Sequence, residues 1–250
     1  MYRYSTKQHK IYLSWYIIYN MSLTTVSTVN KYLLAGELVP PIQYQEITNK
    51  LMFLSFEGGT VTDHWGGQTF IVNSGQLYST AQAKFGTYSI TSNHTASTTI
   101  YAYTQNTMFA SNQPLTVAFW VYLGPPSSGG DTKMFEIGGN DKVFFWGTNN
   151  TSNYAWSYGT VKDYSAYVGQ WMHMCATITT AGVYNVYVNG VFDHTFSASG
   201  KVPSLNSRVY IGASTTRAHR SLNGYIDHFK LWSKILTAEE VGYVYNNIDI

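Results

Sequence analysis

From residue 50 onward, short runs of apolar, β-branched and aromatic residues alternate with turns rich in glycine, proline and asparagine. Residues 116–122 form one unbroken run, and residues 183–188 form another that ends at Asn189 and Gly190. An Asn-Gly pair between two such runs is a strong hairpin signal, because both central residues of a type I′ turn need a positive φ. Runs of this length and spacing predict an all-β fold, an antiparallel sandwich or barrel.

A helix is indicated only near the end of the chain. Thr237 is followed three residues later by Glu240, which is the spacing of a capping box. We therefore predict one short C-terminal helix within residues 237–246. No solenoid repeat is visible along the chain.

The N-terminal part has a different composition, so we divide the chain into an extension, residues 1–48, and one β domain, residues 49–250. Residues 1–20 begin with basic residues and continue in the apolar run 11–19. This run is too short to span a bilayer, which needs about 20 residues. It resembles a weak secretory signal, and an upstream artefact before Met21 is the alternative.

Residues 22–48 have the composition of an arm. Serine and threonine dominate its first part, and Pro40 and Pro41 break any regular element. The segment is predicted to be a docking strand or an extended linker.

Charge is scarce and unevenly placed. Charged residues make up 11% of the chain, against a usual level of about 25%. Residues 1–20 hold three of the 15 basic residues and no acid, so the rest carries 12 basic and 13 acidic residues. The domain therefore has no basic field to attract nucleic acid. This uncharged, hydroxyl-rich composition is typical of extracellular and virion-surface β proteins, and we predict such a location.

The residue patterns that hydrolases and metalloenzymes use are absent. No two acids stand at positions i and i+2 to supply the paired carboxylates of a glycosidase. There is no Gly-x-Ser-x-Gly elbow and no His-x-x-x-His pair for zinc. Cys175 is the only cysteine, so an intrachain disulfide and a thiolate cluster are excluded, and we interpret it as a core residue. The sequence predicts a protein that is not an enzyme.

Several motifs occur in an order that resembles one family. They are residues 54–58, 79–86, 116–121 (similar to FTVEFWV), 171–176 (similar to WHHVA), 187–190 (YVNG), and 222–232 followed by the short helix 236–241. Together they make the region resemble the laminin-G-like jelly-roll domains of the concanavalin A-like superfamily. The resemblance implies that the first and last strands pair, and that the domain binds glycans, proteins or lipids without catalysis. His228 and Phe229 depart from the acidic-aliphatic pair usual in the family, which weakens a metal site needing a second acid there.

Asp227 is the most informative charged residue. Strand alternation places it with Phe229 on an apolar face, and places His228 on the other face. A buried carboxylate needs compensation, and two alternatives stay open. Asp227 accepts backbone N–H bonds from a neighbouring loop, or it binds Ca²⁺ with Glu57 and Asp63, which lie close by if the first and last strands pair. Calcium is the only cofactor predicted.

Aromatic residues supply the candidate ligand site. The rings of Tyr154, Trp156 and Tyr158 lie on one face of a predicted strand, because side chains point to alternate faces along a strand. Such rings either stack on sugars or form core, and a polar loop lies just upstream. The predicted ligand-binding set is Trp146, Asn149, Asn150, Tyr154, Trp156 and Tyr158. Three further tryptophans, Trp120, Trp171 and Trp232, are predicted to be core.

We predict a non-catalytic, surface-displayed binding module that recognises glycans. The alternative is a structural or decoration component of a virion or other extracellular assembly, docked through residues 22–48. The expected partner is a glycan or a surface protein, with no nucleic acid and no membrane span. Homo-oligomer and virion assembly are both compatible with the sequence.

Overall fold

A computed structural model describes residues 46–73, 77–91, 101–109, 113–125, 132–138, 142–147, 153–157, 159–203, 207–212 and 224–247. Residues 47–250 form one compact unit. The predicted extension, residues 1–48, lies outside the described residues except for its last three. Within the described part of the chain, no helix is long and apolar enough to cross a membrane.

The described residues contain fifteen strands and one α-helix. The strands are β1 (Lys50–Leu54), β2 (Phe70–Asn73), β3 (Tyr78–Ser79), β4 (Ser89–Thr91), β5 (Tyr101–Thr104), β6 (Leu115–Leu123), β7 (Thr132–Ile137), β8 (Val143–Gly147), β9 (Asn153–Trp156), β10 (Lys162–Asp163), β11 (Trp171–Ile178), β12 (Val183–Val188), β13 (Val191–Ser197), β14 (Val209–Ile211) and β15 (Gly224–Trp232). The helix is α1 (Ala238–Asn246), and two short 3₁₀ turns span Glu57–Gly59 and Ser165–Tyr167.

These strands form two antiparallel sheets. The eight-stranded sheet has the order β13-β12-β11-β6-β15-β4-β3, and β1 also pairs with β15. The seven-stranded sheet has the order β10-β9-β8-β7-β14-β5-β2. The prediction of an all-β, two-sheet jelly-roll sandwich with one short C-terminal helix is therefore confirmed.

The main core fills the space between the two sheets. Phe119 of β6 lies with its ring centroid 5.1 Å from Phe135, 5.7 Å from Phe145 and 5.9 Å from Trp156 of the opposite sheet. Phe229 of β15 adds a further contact to Phe135 at 5.2 Å. Edge-to-face packing of this kind suits aromatic rings because the positive edge of one ring meets the negative face of another.

Three local predictions are confirmed. Asn189 and Gly190 adopt φ values of 50° and 80° and join β12 to β13 as a tight hairpin. The Thr237 side chain accepts the Glu240 N–H, and the Glu240 side chain accepts the Thr237 N–H, which completes the capping box of α1. Cys175 is a free, fully buried thiol, and burial raises its pKa.

A β-bulge at His228 overturns the predicted alternation along β15. Asp227 pairs with Trp120, but Lys230 pairs with Ala118, so β15 carries one extra residue at this point. His228 absorbs the extra residue with a φ of 48°. As a result Phe229 belongs to the main core, whereas Asp227 faces the outer side of the sheet, and the prediction that they share a face was wrong.

The outer side of the eight-stranded sheet carries a second apolar cluster under α1. Val241 and Val244 of the helix pack there against Trp232, Cys175 and Tyr187, among other residues. Trp232 is thus buried as predicted, but beneath the helix and not between the sheets. Among the described residues, α1 thus covers part of the outer face of this sheet.

Candidate functional site

The Asp227 carboxylate holds the loop that leads into β4. Its Oδ2 accepts the N–H groups of Lys84 at 2.9 Å and Phe85 at 3.1 Å. Its Oδ1 accepts the His228 N–H at 2.8 Å and lies 2.9 Å from Nδ1 of the same residue. The side chain is fully buried. Backbone and ring N–H groups therefore provide the compensation that this buried carboxylate needs.

The other two predicted calcium ligands also accept backbone N–H groups, and each has its own set of donors. The Asp63 carboxylate accepts N–H groups at 3.0 to 3.1 Å from Phe53, Trp65, Gly66 and Gln68. Glu57 accepts N–H groups from Thr87 and Tyr88 at 3.0 to 3.2 Å. The acids thus fasten the two loops that follow β1 and β3.

The three carboxylates do not fit a shared calcium site. Their oxygens are occupied by three separate sets of backbone donors, and Ca²⁺ requires six to eight converging oxygen ligands. Within the described ranges, no three His, Cys, Asp or Glu side chains come together closely enough to hold a metal ion. These contacts favour the structural alternative for Asp227, and a chelator tests whether calcium is bound.

Two of the predicted ligand-binding rings lie in the core. Tyr154 is 4% exposed and Trp156 is 1% exposed, and both belong to the main core between the sheets. Burial raises the pKa of Tyr154 to about 12. Neither ring can stack on a ligand, so of the two alternatives for this strand face the structure shows the core one.

Of the remaining predicted ligand contacts, only Trp146 lies within the described residues. Trp146 stands in β8 with its backbone opposite Lys133 and Ala155. Asn149, Asn150 and Tyr158 lie outside the described residues. The polar loop after β8 therefore stays a prediction.

Besides His228, whose Nδ1 lies beside Asp227 Oδ1, two histidines have a hydrogen-bonded partner of the kind found in catalytic sites. Ser55 Oγ lies 2.8 Å from His64 Nε2, and Asp193 Oδ2 lies 2.6 Å from His194 Nδ1. Nucleophilic catalysis needs the nucleophile, the base and an orienting group in one chain of contacts. In the described ranges no carboxylate bonds the His64 ring, and no hydroxyl bonds His194 Nε2.

A row of three half-buried aromatic side chains crosses the outer face of the eight-stranded sheet. Trp171 of β11 pairs with Tyr122 of β6, and Tyr122 pairs with Tyr225 of β15. The ring centroids of the two pairs are 5.7 and 5.8 Å apart, with interplanar angles of 68° and 73°. We name these three residues the aromatic row.

Strand alternation and one glycine place the aromatic row. Tyr122 stands between Val121 and Leu123, whose side chains belong to the main core, so its own ring points outward. Gly224 opens β15 with a φ of 149°, and a Cβ there would lie 2.0 Å from the Tyr122 carbonyl oxygen. Glycine is required for this close approach of the two strands, which brings Tyr225 beside Tyr122.

The polar atoms of the aromatic row have no partner among the described residues. Neither tyrosine hydroxyl nor the Trp171 indole N–H makes a hydrogen bond in that part of the chain. Each side chain thus presents a partly exposed ring and an unused hydrogen-bonding group side by side. This combination is suited to a sugar, which offers both C–H surface and hydroxyl groups.

Sequence reasoning missed this site by assigning Trp171 to the core. A signal was present in β6, where Thr116 and Ala118 alternate with the apolar residues and mark the outer face. Tyr122 follows them in the same phase. The sequence held no comparable signal that Trp171 and Tyr225 would be its neighbours.

A second aromatic pair lies on the outer face of the seven-stranded sheet. Tyr103 of β5 and Tyr210 of β14 pair in register, and their rings stack with centroids 5.6 Å apart and an interplanar angle of 19°. The Arg208 guanidinium lies 5.5 Å from the centroid of the Tyr103 ring. This pair is the natural comparison for the aromatic row in a binding experiment.

Comparisons with known proteins agree with the sandwich architecture. A family model described as the Concanavalin A-like lectin/glucanases superfamily matches residues 95–242. No curated protein matches the chain. Among solved structures, the botulinum neurotoxin serotype D binding domain is 16% identical with a TM-score of 0.57. The match covers 79% of this chain and 51% of the neurotoxin chain. The serotype G binding domain is 19% identical with a TM-score of 0.58, and the match covers 79% of this chain and 50% of the serotype G chain. The chain thus spans about half the length of these domains, and the likeness shows a shared fold.

Proposed function

The chain belongs to the Concanavalin A-like lectin/glucanases superfamily, and we propose that it is a non-catalytic binding module that recognises glycans through the aromatic row. The observation that carries this proposal is three half-buried rings in register, with hydrogen-bonding groups that no described residue uses. Aromatic side chains arranged in this way bind ligands because they combine apolar area with a polar tip.

Two further observations support the proposal. The matching family is lectin-like, and the similar solved structures are named as binding domains. The low charge content of 11% supports recognition by stacking and neutral hydrogen bonds over recognition by a strong electrostatic field. It also supports display on an extracellular or virion surface.

Trp171→Ala is expected to abolish binding of the full chain to an array of immobilised glycans. The change removes the largest ring of the aromatic row, and a sugar needs that surface to stack on. Because the ring is partly buried, we expect the free energy of unfolding to fall by about 1–3 kcal/mol, less than for a fully buried tryptophan. Glycan binding is read on the array, and stability by chemical denaturation.

Phe192→Ala and Tyr210→Ala are the matched controls. Phe192 is a 54% exposed aromatic residue outside the aromatic row, and Tyr210 belongs to the tyrosine pair on the other sheet. Both variants should bind like the wild type. Loss of binding in Tyr210→Ala alone would move the site to the seven-stranded sheet. A wild-type chain that binds no glycan but binds a protein of an extracellular assembly would favour the structural alternative.

A further inference from the structure

His173 is a buried histidine beneath the end of the C-terminal helix. It pairs with Trp120 across β11 and β6, and its ring centroid lies 5.3 Å from that of Trp120 and 5.6 Å from that of Tyr245. Its side chain is 2% exposed. The Tyr245 ring also stacks on Trp120 at 5.5 Å with an interplanar angle of 28°, so one helical side chain covers both residues.

The groups that face this histidine favour its neutral form. Lys230, itself 3% exposed, acts on it from β15, and the Lys84 ammonium lies 4.1 Å from the centroid of the Trp120 ring. The Asp227 carboxylate lies beyond Trp120 and is held by N–H donors. Tyr245 from α1 and the buried Cys175 thiol are further titratable groups that the described residues place nearby.

Among the described residues, nothing compensates a positive charge on the His173 ring. Its Nδ1 is buried without a hydrogen-bond partner. The Asn189 amide oxygen binds only the main-chain N–H of His173, at 2.9 Å. A proton on the ring would therefore add a cation near Lys230 and leave a buried N–H on Nδ1 with no acceptor among the described residues.

Burial first, and the neighbouring Lys230 second, lower the pKa of His173 to about 3. A hydrated histidine has a pKa near 6.5. A state in which the ring is exposed therefore binds the proton more tightly than the closed state. The closed state has its full stability above pH of about 6.5 and loses it as the pH falls toward about 3, by up to about tenfold in the equilibrium constant per pH unit.

The segment best placed to open is the last turn of α1. The first turn is fastened by the capping box and by the Lys234–Glu240 ion pair at 2.6 Å. The last turn holds no basic residue, and the helix ends one residue after Tyr245, at Asn246. Terminal turns open at lower cost than core strands, so hydration of His173 requires only this local release.

We propose that protonation of His173 releases the last turn of α1 from the outer face of the eight-stranded sheet and uncovers Trp120. The device is a cationic ring that burial, the neighbouring Lys230 and the lack of a described hydrogen-bond acceptor at Nδ1 all disfavour. It converts acidification into exposure of a tryptophan, while the main core between the sheets remains closed.

The released residue lies beside the proposed binding site. Trp120 and Tyr122 are two residues apart on the same outward face of β6, so an uncovered Trp120 extends the aromatic row by one ring. This consequence for ligand binding rests on the proposed function, whereas the release of the helix does not.

Hydrogen exchange of the full chain tests the release. The opening constant of amides in residues 241–247, corrected for intrinsic exchange rates, is expected to rise about 30-fold between pH 7.5 and pH 5, as one histidine proton with a normal pKa in the open state requires. In His173→Phe this rise should vanish, because the variant keeps a buried ring that cannot be protonated. His173→Gln provides a second non-titrating variant if the phenylalanine does not fold.

His194→Gln is the matched control, since it removes a histidine on the edge strand β13 and should retain the rise. An opening constant that does not change with pH in the wild type would overturn the proposal. So would a rise of equal size in both His173 variants. A chain that opens as expected but binds no glycan at any pH would leave the release standing and remove the proposed function.

Discussion

Replacing Trp156 by alanine is expected to lower the free energy of unfolding by about 3–5 kcal/mol, the usual cost of truncating a large buried ring and leaving a cavity. The indole is 1% exposed. Its centroid lies 5.3 Å from that of Phe145, 5.6 Å from Phe135 and 5.9 Å from Phe119, so the ring joins the two sheets. Denaturant unfolding followed by circular dichroism measures the change.

Phe192→Ala again supplies the comparison. That ring is exposed, and its removal should change stability by no more than about 0.5 kcal/mol. If Trp156→Ala proved as stable as the wild type, the ring would not be part of a packed core. Loss of glycan binding by such a stable variant would return Trp156 to the ligand face.

Asp227→Asn is expected to cost about 3 kcal/mol of stability. The substitution keeps the size of the side chain but replaces one carboxylate oxygen by an amide nitrogen, which is a donor. At least one of the N–H groups of Lys84, Phe85 and His228 then loses its acceptor inside the protein, and hydrogen bonds to charged groups contribute about 1.5–3 kcal/mol each. The unfolding midpoint in denaturant measures this effect.

Asp163→Asn is the matched control, because that carboxylate accepts one N–H bond at an exposed position, from Ser165 at 2.8 Å. Its replacement should be nearly neutral. Thermal unfolding of the wild type in the presence of a chelator checks whether calcium is bound, since a bound ion stabilises the folded state. We expect the wild type to melt at the same temperature with and without chelator. A fall that added Ca²⁺ reverses, and that Asp227→Asn lacks, would show that the carboxylate is a metal ligand.

The parts of the fold predictable from the sequence are those set by neighbouring residues. The Asn189–Gly190 turn depends on the φ values that these two residues tolerate, and the start of α1 depends on Thr237 and Glu240 alone. The face of Asp227 was not predictable in this way. It depends on how β15 pairs with β6, and one extra residue at His228 reverses the alternation from that point on.

The candidate site was not predictable for the same reason, because it depends on how distant strands pair and pack. Tyr154 and Trp156 share a strand face by alternation, but which face meets the other sheet is decided by the packing of the sandwich. The aromatic row is assembled from strands far apart in the chain, and its register comes from pairing that no local pattern encodes. The low exposure of Trp120 likewise depends on a helix that begins more than a hundred residues later.

The position of β15 has a consequence for how the protein is made. This strand lies within the eight-stranded sheet, where it pairs with β6, β4 and β1. While a ribosome is still translating the chain, β1 has no partner strand, and β6 and β4 each keep one unpaired edge, until residue 232 has left the exit tunnel. Their unpaired backbone edges are prone to join other nascent chains. Closure then requires contacts between residues at opposite ends of the domain, which is slow, so we expect the sheet to close only after β15 has emerged and the nascent domain to benefit from chaperones that shield those edges.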